Sequence, residues 1–384
     1  MTPPVATPGP VAIPERHNER QLAVSLDEDE PGPAATRAEE ALQSVVAFGT
    51  HVDATIDWAV ELGSTVPTPG RGRTRERWET LATAARADVA GARVLEPHLD
   101  ALAILAEASA EGLVSPADLA AIGVDSSSSW GVFAAEGSDA RLEAHQAEDG
   151  MWRLTGVKPW CSLADCVSHA LVTAWKGPTE RRLFVVAMRA PTVHPHRDGW
   201  VSRGLAQIRS APVEFADAIA LPVGDDGWYL RREGFWWGGV GVAACWWGGA
   251  IPLLGALARA AARPDADQLA HTYYGTADAR MWAARLALAD AANRADRMDP
   301  APVRLISERV RAIVADAVET VLMIADRALG PAPLASDEAH ARRVGDLRIY
   351  LRQHHAERDL ARLGRSLTSS ALARQSTDPA QRTT

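Results

Sequence analysis

The stretch that decides the fold reads Leu154-Thr-Gly-Val-Lys-Pro-Trp-Cys-Ser-Leu-Ala-Asp-Cys166, and the apolar run Val167 to Ala174 follows it directly. Similar short runs, rich in β-branched and aromatic residues, extend on both sides from Trp130 to Leu221. Turn signals such as Glu148-Asp-Gly separate these runs. The sequence therefore predicts a β domain, which we place at residues 126–225.

Helical patterns dominate the chain before these strands. Ala-rich segments at Ala38 to Leu62 and Arg75 to Val94 carry one apolar stripe each, and Pro97 is expected to open a further helix from His98 to Glu111. We therefore predict an N-terminal helical domain at residues 36–125.

The chain becomes helical again after the strands. In the helix from Pro302, apolar residues recur at spacings of three and four, which marks the core of a helical bundle. These residues are Val303, Ile306, Val310, Ile313, Ala317, Val321 and Ile324. We predict a C-terminal helical domain at residues 226–365. The Pro-rich and acidic start of the chain, residues 1–35, and its last residues, 366–384, are predicted to be disordered tails.

Composition limits the possible partners. The chain has 384 residues, of which 47% are hydrophobic and 23% charged, as in ordinary globular proteins. Its 40 Lys and Arg are scattered among 49 Asp and Glu, giving a net charge of −9, so nucleic acid is not an expected partner. Three cysteines without metal-type spacing predict neither a structural zinc nor a disulfide and indicate a cytoplasmic location.

One segment is long and apolar enough to be considered a membrane span. Residues 234–258 carry no charged side chain, but they include several glycines, Pro252 and the mid-segment pair Trp246-Trp247. Interfacial tryptophans belong at the ends of a span, and a Gly-rich helix buried among other helices has the same hydropathy. We expect a buried helix here and no membrane span.

The quoted stretch resembles the β-domain signature of the acyl-CoA dehydrogenase family, which reads Gly-x-Lys-x-Trp/Phe-x-Thr/Ser. Three further stretches agree with that family in order and distance: Glu136-Gly-Ser-Asp139, Phe215 to Pro222, and Arg343-Val-Gly-Asp346. The resemblance covers roughly Ala38 to Gly364. It implies an α+β fold with an N-terminal α domain, a middle β-barrel or sandwich and a C-terminal four-helix bundle, and it implies FAD as the cofactor.

The resemblance also assigns roles to individual residues. Trp160 and Ser162 would contact the flavin, since a Trp ring stacks on a flat isoalloxazine and a hydroxyl bonds its polar edge. Ser138 and Asp139 would lie on the flavin or acyl-CoA side, although Gly-Ser-Asp is also an ordinary loop sequence. Trp236 and Trp237, at the start of the first C-terminal helix, would line the acyl pocket, with plain core packing as the equal alternative.

The chain departs from the family pattern at two places. His271 stands where the family has an Arg that reaches the flavin pyrophosphate, and an imidazole is a weaker phosphate ligand than a guanidinium. The family's catalytic Glu would fall on His354 or on Thr272. Because Val344, Leu347, Leu351 and His354 repeat at helical spacing, we expect His354 on the apolar face of the last helix, as a base or as a core residue.

Three functions remain open. The first is FAD-dependent α,β-dehydrogenation of an acyl thioester, with CoA as the expected carrier, by an oxidoreductase acting on CH–CH bonds. The second is a flavin monooxygenase on the same fold that uses reduced flavin from a separate reductase. The third is a non-catalytic subunit of a heteromeric acyl-CoA dehydrogenase. In each case a homodimer or homotetramer, or a heteromeric assembly, is expected from the apolar stripe of the bundle.

Overall fold

The computed structural model of the protein describes residues 22–27, 30–138, 140–297 and 302–376. Helices come first: α1 (Pro33–Leu42), α2 (Val52–Gly63), α3 (Thr74–Ala87), α4 (Val89–Ala110) and α5 (Pro116–Ala121). Strands follow: β1 (Trp130–Phe133), β2 (Leu142–Gln146), β3 (Trp152–Ser162), β4 (His169–Trp175), β5 (Arg181–Ala187), β6 (Val193–Pro195) and β7 (Ser210–Val223). The chain then returns to helices: α6 (Trp228–Arg231), α7 (Glu233–Ala261), α8 (Gln268–Asp296), α9 (Val303–Leu329), α10 (Ala332–Ser336), α11 (Glu338–Tyr350) and α12 (Glu357–Ser376).

The strands form one sheet that closes on itself. Strand β4 pairs with β2, the order continues through β3, β7 and β5, and β5 pairs back with β4. Strands β1 and β6 are added outside this ring, on β4 and β7. Long antiparallel pairing of β3 with β7 forms one wall. The sheet is therefore a small barrel, and the end of β3 projects toward the helices.

The helix boundaries differ from the predicted ones in the N-terminal part. The segment predicted as one helix from Ala38 to Leu62 is α1 and α2 with a non-helical connection, and the segment from Arg75 to Val94 breaks at Asp88. Asp88 is extended and its carboxylate accepts the Gly91 N–H, so it caps α4. Pro97 does not open a helix, because α4 runs through it.

Helix α7 is the central element of the C-terminal part. It is long and apolar enough to cross a membrane by length and composition, but 72% of its most apolar window is buried inside the protein. Its glycines allow neighbouring backbones to approach, and a Cβ at Gly248 would come 2.2 Å from the Ala82 carbonyl oxygen of α3. Helices α3, α8 and α9 pack against it. The segment is placed as a core helix.

Helix α9 carries the predicted bundle stripe with one exception. Val310, Ala317, Val321 and Ile324 are buried, whereas Ile313 is 43% exposed. A straight helix with 3.6 residues per turn brings position 314 inward after position 310, and Val314 is fully buried.

The Arg-x-x-Asp segment fastens α11 to the other parts of the molecule. Arg343 donates hydrogen bonds to the carbonyl oxygens of Ala85 and Gly249, at 3.0 and 3.2 Å. The Asp346 carboxylate accepts the Leu205 N–H from a loop of the β region, and burial raises the pKa of Asp346 to about 6. These contacts fix where α11 ends, and the residues that follow it reach the site described below.

The predicted tails are ordered in part. Residues 22–27 lie against α3, where the Thr83 hydroxyl accepts the Val24 N–H at 3.1 Å and Glu79 accepts the Leu26 N–H at 2.9 Å. Leu26 is fully buried, so the apolar alternation in this segment outweighs its acidic surroundings. Helix α12 continues to Ser376, past the predicted boundary at 365. Residues 30–35 are described as well, and α1 begins within them with Ala34 and Ala35 fully buried. The rest of both predicted tails lies outside the described residues.

Candidate active site

Trp160 is an exposed aromatic residue in a strained backbone position. The pairing of β3 with β7 shifts register between Lys158 and Cys161, because Pro159 cannot donate a ladder hydrogen bond and a bulge forms. At this bulge Trp160 has a φ of 59° and its side chain is 60% exposed. The left-handed conformation costs a non-glycine residue about 1–2 kcal/mol. A large ring held outward at such a position is a candidate platform for a flat ligand.

Ser162 ends the same strand and joins the barrel to the helices. Its hydroxyl lies 2.7 Å from the Ser210 hydroxyl on β7 and accepts a hydrogen bond from Nη2 of Arg93 at 3.2 Å. Arg93 belongs to α4, so this contact fixes the strand end against a helix of the N-terminal part. Polar hydrogen-bonding groups thus lie two residues from the exposed Trp160 ring.

Arg93 also belongs to a buried acid–base cluster that the sequence analysis missed. Its Nη1 lies 3.1 Å from Glu96 Oε2, and the Tyr350 hydroxyl donates to the same oxygen at 3.4 Å. Burial raises the pKa of Glu96, and the Arg93 guanidinium opposes that rise. Glu96 therefore binds a proton more readily than an exposed glutamate does. The available signal was the charged residues recurring at helical spacing in the otherwise apolar α4.

His354 reaches this region from the other side. Helix α11 ends at Tyr350 and a single 3₁₀ turn, Leu351–Gln353, follows, so His354 lies in a connecting turn. The expectation that His354 sits on a helix face is therefore wrong, although the residue is only 6% exposed. Burial lowers the pKa of His354, with a contribution from Arg311, so its imidazole is neutral at neutral pH.

Aromatic rings connect His354 with the Glu96 cluster. The imidazole packs edge to face on Trp246, with centroids 6.4 Å apart, and Trp246 packs in the same way on Tyr350 at 6.3 Å. Tyr350 in turn contacts Arg93 and Glu96. The structure thus brings Ser162 and His354 into one continuous cluster without a direct contact between them.

An ion pair between the buried Lys158 and the more exposed Glu136 fastens the Ser138 loop to β3. Lys158 is fully buried, and its Nζ lies 2.7 Å from Glu136 Oε1 and 3.0 Å from the Thr173 hydroxyl. Burial lowers the pKa of Lys158, and Glu136 counteracts this shift. Ser138 follows as an exposed bend, and Asp139 lies outside the described residues. The loop is next to β3, since a Cβ at Gly137 would be 3.3 Å from the ring of Pro159.

The other predicted site residues take part in packing or lie on the surface. Trp236 is half-buried with the Arg304 guanidinium 5.3 Å from its ring, and Trp237 is buried against Trp78 at 6.3 Å. His271 and Thr272 are exposed on α8. None of these residues contacts the Ser162 and Glu96 cluster. Within the described part of the chain, no group of three or more His, Cys, Asp or Glu side chains is placed to hold a metal ion.

Solved structures resemble this chain over most of its length. Nitrososynthase from Micromonospora carbonacea var. africana is 19% identical, with 91% of this chain and 99% of that chain covered and a TM-score of 0.72. TdsC from Paenibacillus sp. A11-2, a dibenzothiophene monooxygenase crystallised with FMN, is 18% identical, with 86% and 95% covered and a TM-score of 0.68. Butyryl-CoA dehydrogenase from Megasphaera elsdenii is 15% identical, with 89% and 100% covered and a TM-score of 0.68.

The sequence comparisons give no match: no family model and no curated protein matches the chain. At identities below one fifth, the structural likeness shows the fold. The protein has the acyl-CoA dehydrogenase fold, which confirms the fold family expected from residues 154–166.

Proposed function

We propose that the protein is a flavin-dependent oxidoreductase whose reaction takes place at the cluster formed by Ser162, Arg93 and Glu96. The observation that carries this proposal is Trp160, a ring that is 60% exposed at a left-handed bulge two residues from Ser162. Backbone strain that holds an aromatic ring outward is typical of ligand-binding sites, and an indole is suited to stack on a flat ligand.

The residues around Trp160 fit an isoalloxazine ring system. This ring system is flat, with an apolar body and a polar edge, and the cluster offers an indole beside two hydroxyls and a guanidinium. When bound, a flavin supplies hydride and electron transfer. These residues would contact only the isoalloxazine ring system. FAD, the predicted cofactor, and FMN, which is bound in TdsC, both contain it. The flavin released from denatured protein, identified by chromatography, distinguishes the two.

The first candidate reaction is dehydrogenation of an acyl thioester. This reaction requires a base, which the family resemblance implies to be a Glu. The two positions where that Glu would fall hold His354 and Thr272 instead. Glu96 supplies a carboxylate in this structure, since its Oε2 is held by Arg93 and by the Tyr350 hydroxyl and burial raises its pKa. In this reaction Glu96 would accept the α-proton of the substrate while Arg93 keeps the carboxylate oriented.

The second candidate is oxygenation by reduced flavin. It is favoured by His354, whose neutral imidazole lies where the family resemblance implies a carboxylate. A neutral imidazole donates one hydrogen bond and accepts another without adding charge to the pocket. The monooxygenase activity of TdsC on the same fold supports this candidate by analogy.

One set of measurements separates the candidates. Protein with bound flavin is mixed anaerobically with butyryl-CoA, and bleaching of the flavin absorbance supports dehydrogenation. Reduced flavin is then supplied with dioxygen and indole, and a hydroxylated product supports oxygenation. Glu96→Gln should abolish the first reaction, while Asp316→Asn, a control at an exposed carboxylate of α9, should leave it unchanged. Protein that binds flavin only after a homologous subunit is added would instead be a non-catalytic partner.

We also propose that the protein forms a homo-oligomer through α8. Trp282 and Leu286, one turn apart on this helix, are 53% and 42% exposed and form an apolar patch on its surface. A second copy of the chain would cover them, as two-fold symmetric contacts between identical faces do in most dimers.

A further inference from the structure

The turn that carries His354 is anchored on both sides of this residue. Nη2 of Arg311 donates a hydrogen bond to the Gln353 carbonyl oxygen at 3.0 Å. On the other side, Oδ2 of Asp359 accepts the His355 N–H at 3.2 Å. These two groups belong to the planar peptide units that precede and follow the Cα atom of His354. Anchoring both units fixes φ and ψ of His354, at −91° and 118°, and with them the direction of its Cα–Cβ bond.

Arg311 reaches the turn from α9 and is itself held by α7. Its Nη1 donates to the Gly239 carbonyl oxygen at 2.6 Å, and its guanidinium carbon lies 4.8 Å from the centre of the Trp246 ring. Trp246 is fully buried, and the His354 imidazole packs on the same ring, with centroids 6.4 Å apart. The cation and the imidazole therefore share one indole as their support, and two contacts with α7 hold the cation in place independently of the turn.

Asp359 holds the turn from the start of α12. Its side chain is 8% exposed, and its Oδ1 lies 3.2 Å from Nη1 of Arg362 and 3.5 Å from Nδ1 of His355. Burial alone would raise the pKa of Asp359, but the His355 N–H and the Arg362 guanidinium lower it below its usual value. Asp359 is therefore a carboxylate anion at neutral pH, and its place in the first turn of α12 stabilises the negative charge.

Arg311 and Asp359 place opposite charges near the His354 imidazole. Burial is the largest cause of the lowered pKa of His354. The carboxylate of Asp359 raises this pKa, whereas the guanidinium of Arg311 lowers it. Each of the two residues thus combines a hydrogen bond to the backbone of the turn with a charge that acts on the imidazole.

The other charged groups near His354 oppose each other. Glu319 of α9 raises the pKa of His354 and Arg352 of the 3₁₀ turn lowers it, and these two exposed side chains form an ion pair. Helix α7 contributes the uncharged Trp246 ring. Tyr350 of α11 lies beyond that ring, and burial raises the pKa of its hydroxyl, which keeps its proton. Arg311 and Asp359 are therefore the two charges that also hold the backbone beside the imidazole.

We propose that Arg311 and Asp359 are positioning residues of the flavin site: they hold the His354 side chain in one direction, and their opposite charges set whether its imidazole carries a proton. This inference rests on the proposed function, because it assigns the pair to the reaction in which His354 takes part. A neutral imidazole donates at one nitrogen and accepts at the other, so its action on a bound flavin depends on both its direction and its protonation.

The protonation of His354 is measured in the flavin-free, full-length protein by NMR of isotope-labelled histidine side chains as a function of pH. The chain has 11 histidines, and the signal of His354 is identified by its absence from the spectrum of His354→Ala. The quantity compared between the native chain and its variants is the pH at the midpoint of the His354 titration. This readout requires neither a flavin nor a substrate.

Asp359→Asn keeps an oxygen that can accept the His355 N–H but removes the negative charge. We expect the midpoint of His354 to fall by at least about half a pH unit, since a charge within a few ångströms shifts a pKa by about 1 or more. A turn that had merely loosened would expose the imidazole to water and raise the midpoint, because burial is what lowers it. The direction of the change therefore separates the action of the charge from a purely structural role.

Arg311 is tested in the opposite direction. Arg311→Gln removes the cation and should raise the midpoint of His354 by at least about half a pH unit. Arg311→Lys keeps the positive charge but loses the fork that bridges Gly239 and Gln353, and it should restore most of the native midpoint.

Arg280→Gln and Asp316→Asn are the matched controls, because Arg280 and Asp316 form an exposed ion pair between α8 and α9. Neither control should move the midpoint of His354. A midpoint that rises in Asp359→Asn, or that fails to rise in Arg311→Gln, would overturn the inference. Each of these two variants has its own required direction, so one of them decides the inference where the other folds poorly.

Flavin binding is measured on the same preparations by titration with FMN and FAD. Protein that binds no flavin refutes the proposed function and leaves the midpoints of His354 standing as a property of the fold. In protein that binds flavin, the pH profile for reoxidation of the reduced flavin should shift in the same direction as the midpoint in each variant. Bound flavin with unshifted midpoints refutes the positioning role alone.

Discussion

Replacing Trp160 by glycine should separate stability from flavin binding. Glycine adopts a φ of 59° without strain, which removes a cost of about 1–2 kcal/mol, while its greater freedom in the unfolded chain returns about 0.5–1 kcal/mol. The buried part of the indole, roughly 80 Å² of about 200 Å², is lost as packing area and is worth up to about 2 kcal/mol at about 25 cal/mol per Å². Because strain relief and lost packing nearly offset each other, we expect the free energy of unfolding of the flavin-free protein to fall by no more than about 2 kcal/mol.

Flavin affinity should fall in the same variant. Loss of ring stacking alone is worth about 1 kcal/mol, a roughly fivefold increase in the dissociation constant. The exposed part of the indole amounts to roughly 120 Å², taking about 200 Å² for a whole side chain. Covering this area by the flavin would contribute up to about 3 kcal/mol more at about 25 cal/mol per Å². The dissociation constant should therefore rise at least fivefold.

The measurements are urea unfolding of the flavin-free protein and titration of FMN and FAD followed by flavin fluorescence. Ile219→Ala is the matched control, since Ile219 is 50% exposed on the neighbouring strand β7 and away from the bulge. A Trp160→Gly protein that folds and binds flavin as tightly as the native chain would remove Trp160 from the site and with it the main support for a flavoprotein.

His354→Ala should lower the rate of substrate-dependent flavin turnover by roughly a hundredfold if the imidazole moves a proton; a lower melting temperature with an unchanged rate per folded molecule would make it a packing residue. Burial lowers the pKa of His98 to about 4. As the pH falls from about 6.5 to about 4, the free energy of unfolding should fall by up to about 3 kcal/mol, because the unfolded chain binds the proton first. The urea midpoints of unfolding at pH 7 and at pH 4.5 should differ less in the His98→Leu variant than in the native chain. An equal difference in the two proteins would contradict the lowered pKa of His98. Trp282→Arg should convert the oligomer to a smaller species by light scattering, and a native protein that is already monomeric at micromolar concentration would contradict the proposed α8 interface.

The sequence by itself determined the features that depend on neighbours along the chain. Residues 154–166 led to the fold family because a strand, its bulge and its aromatic residue are encoded within a dozen positions. The apolar repeat of α9 predicted a bundle helix for the same reason. The prediction was wrong at Ile313, because the buried stripe continues from Val310 to Val314, four positions further, and leaves Ile313 exposed. The Trp160 and Ser162 pair was likewise visible, since both belong to one strand.

Only the tertiary structure decided which charges meet. Arg93 and Ser162 are 69 residues apart, and Glu96 and Tyr350 are 254 apart, so no local pattern connects them. Their contacts depend on how α4, α11 and the end of β3 are oriented, which the packing of whole helices fixes. The order of residues 22–27 has the same origin. Burial and pairing are properties of the assembled chain, because the groups that exclude water from one segment come from distant segments.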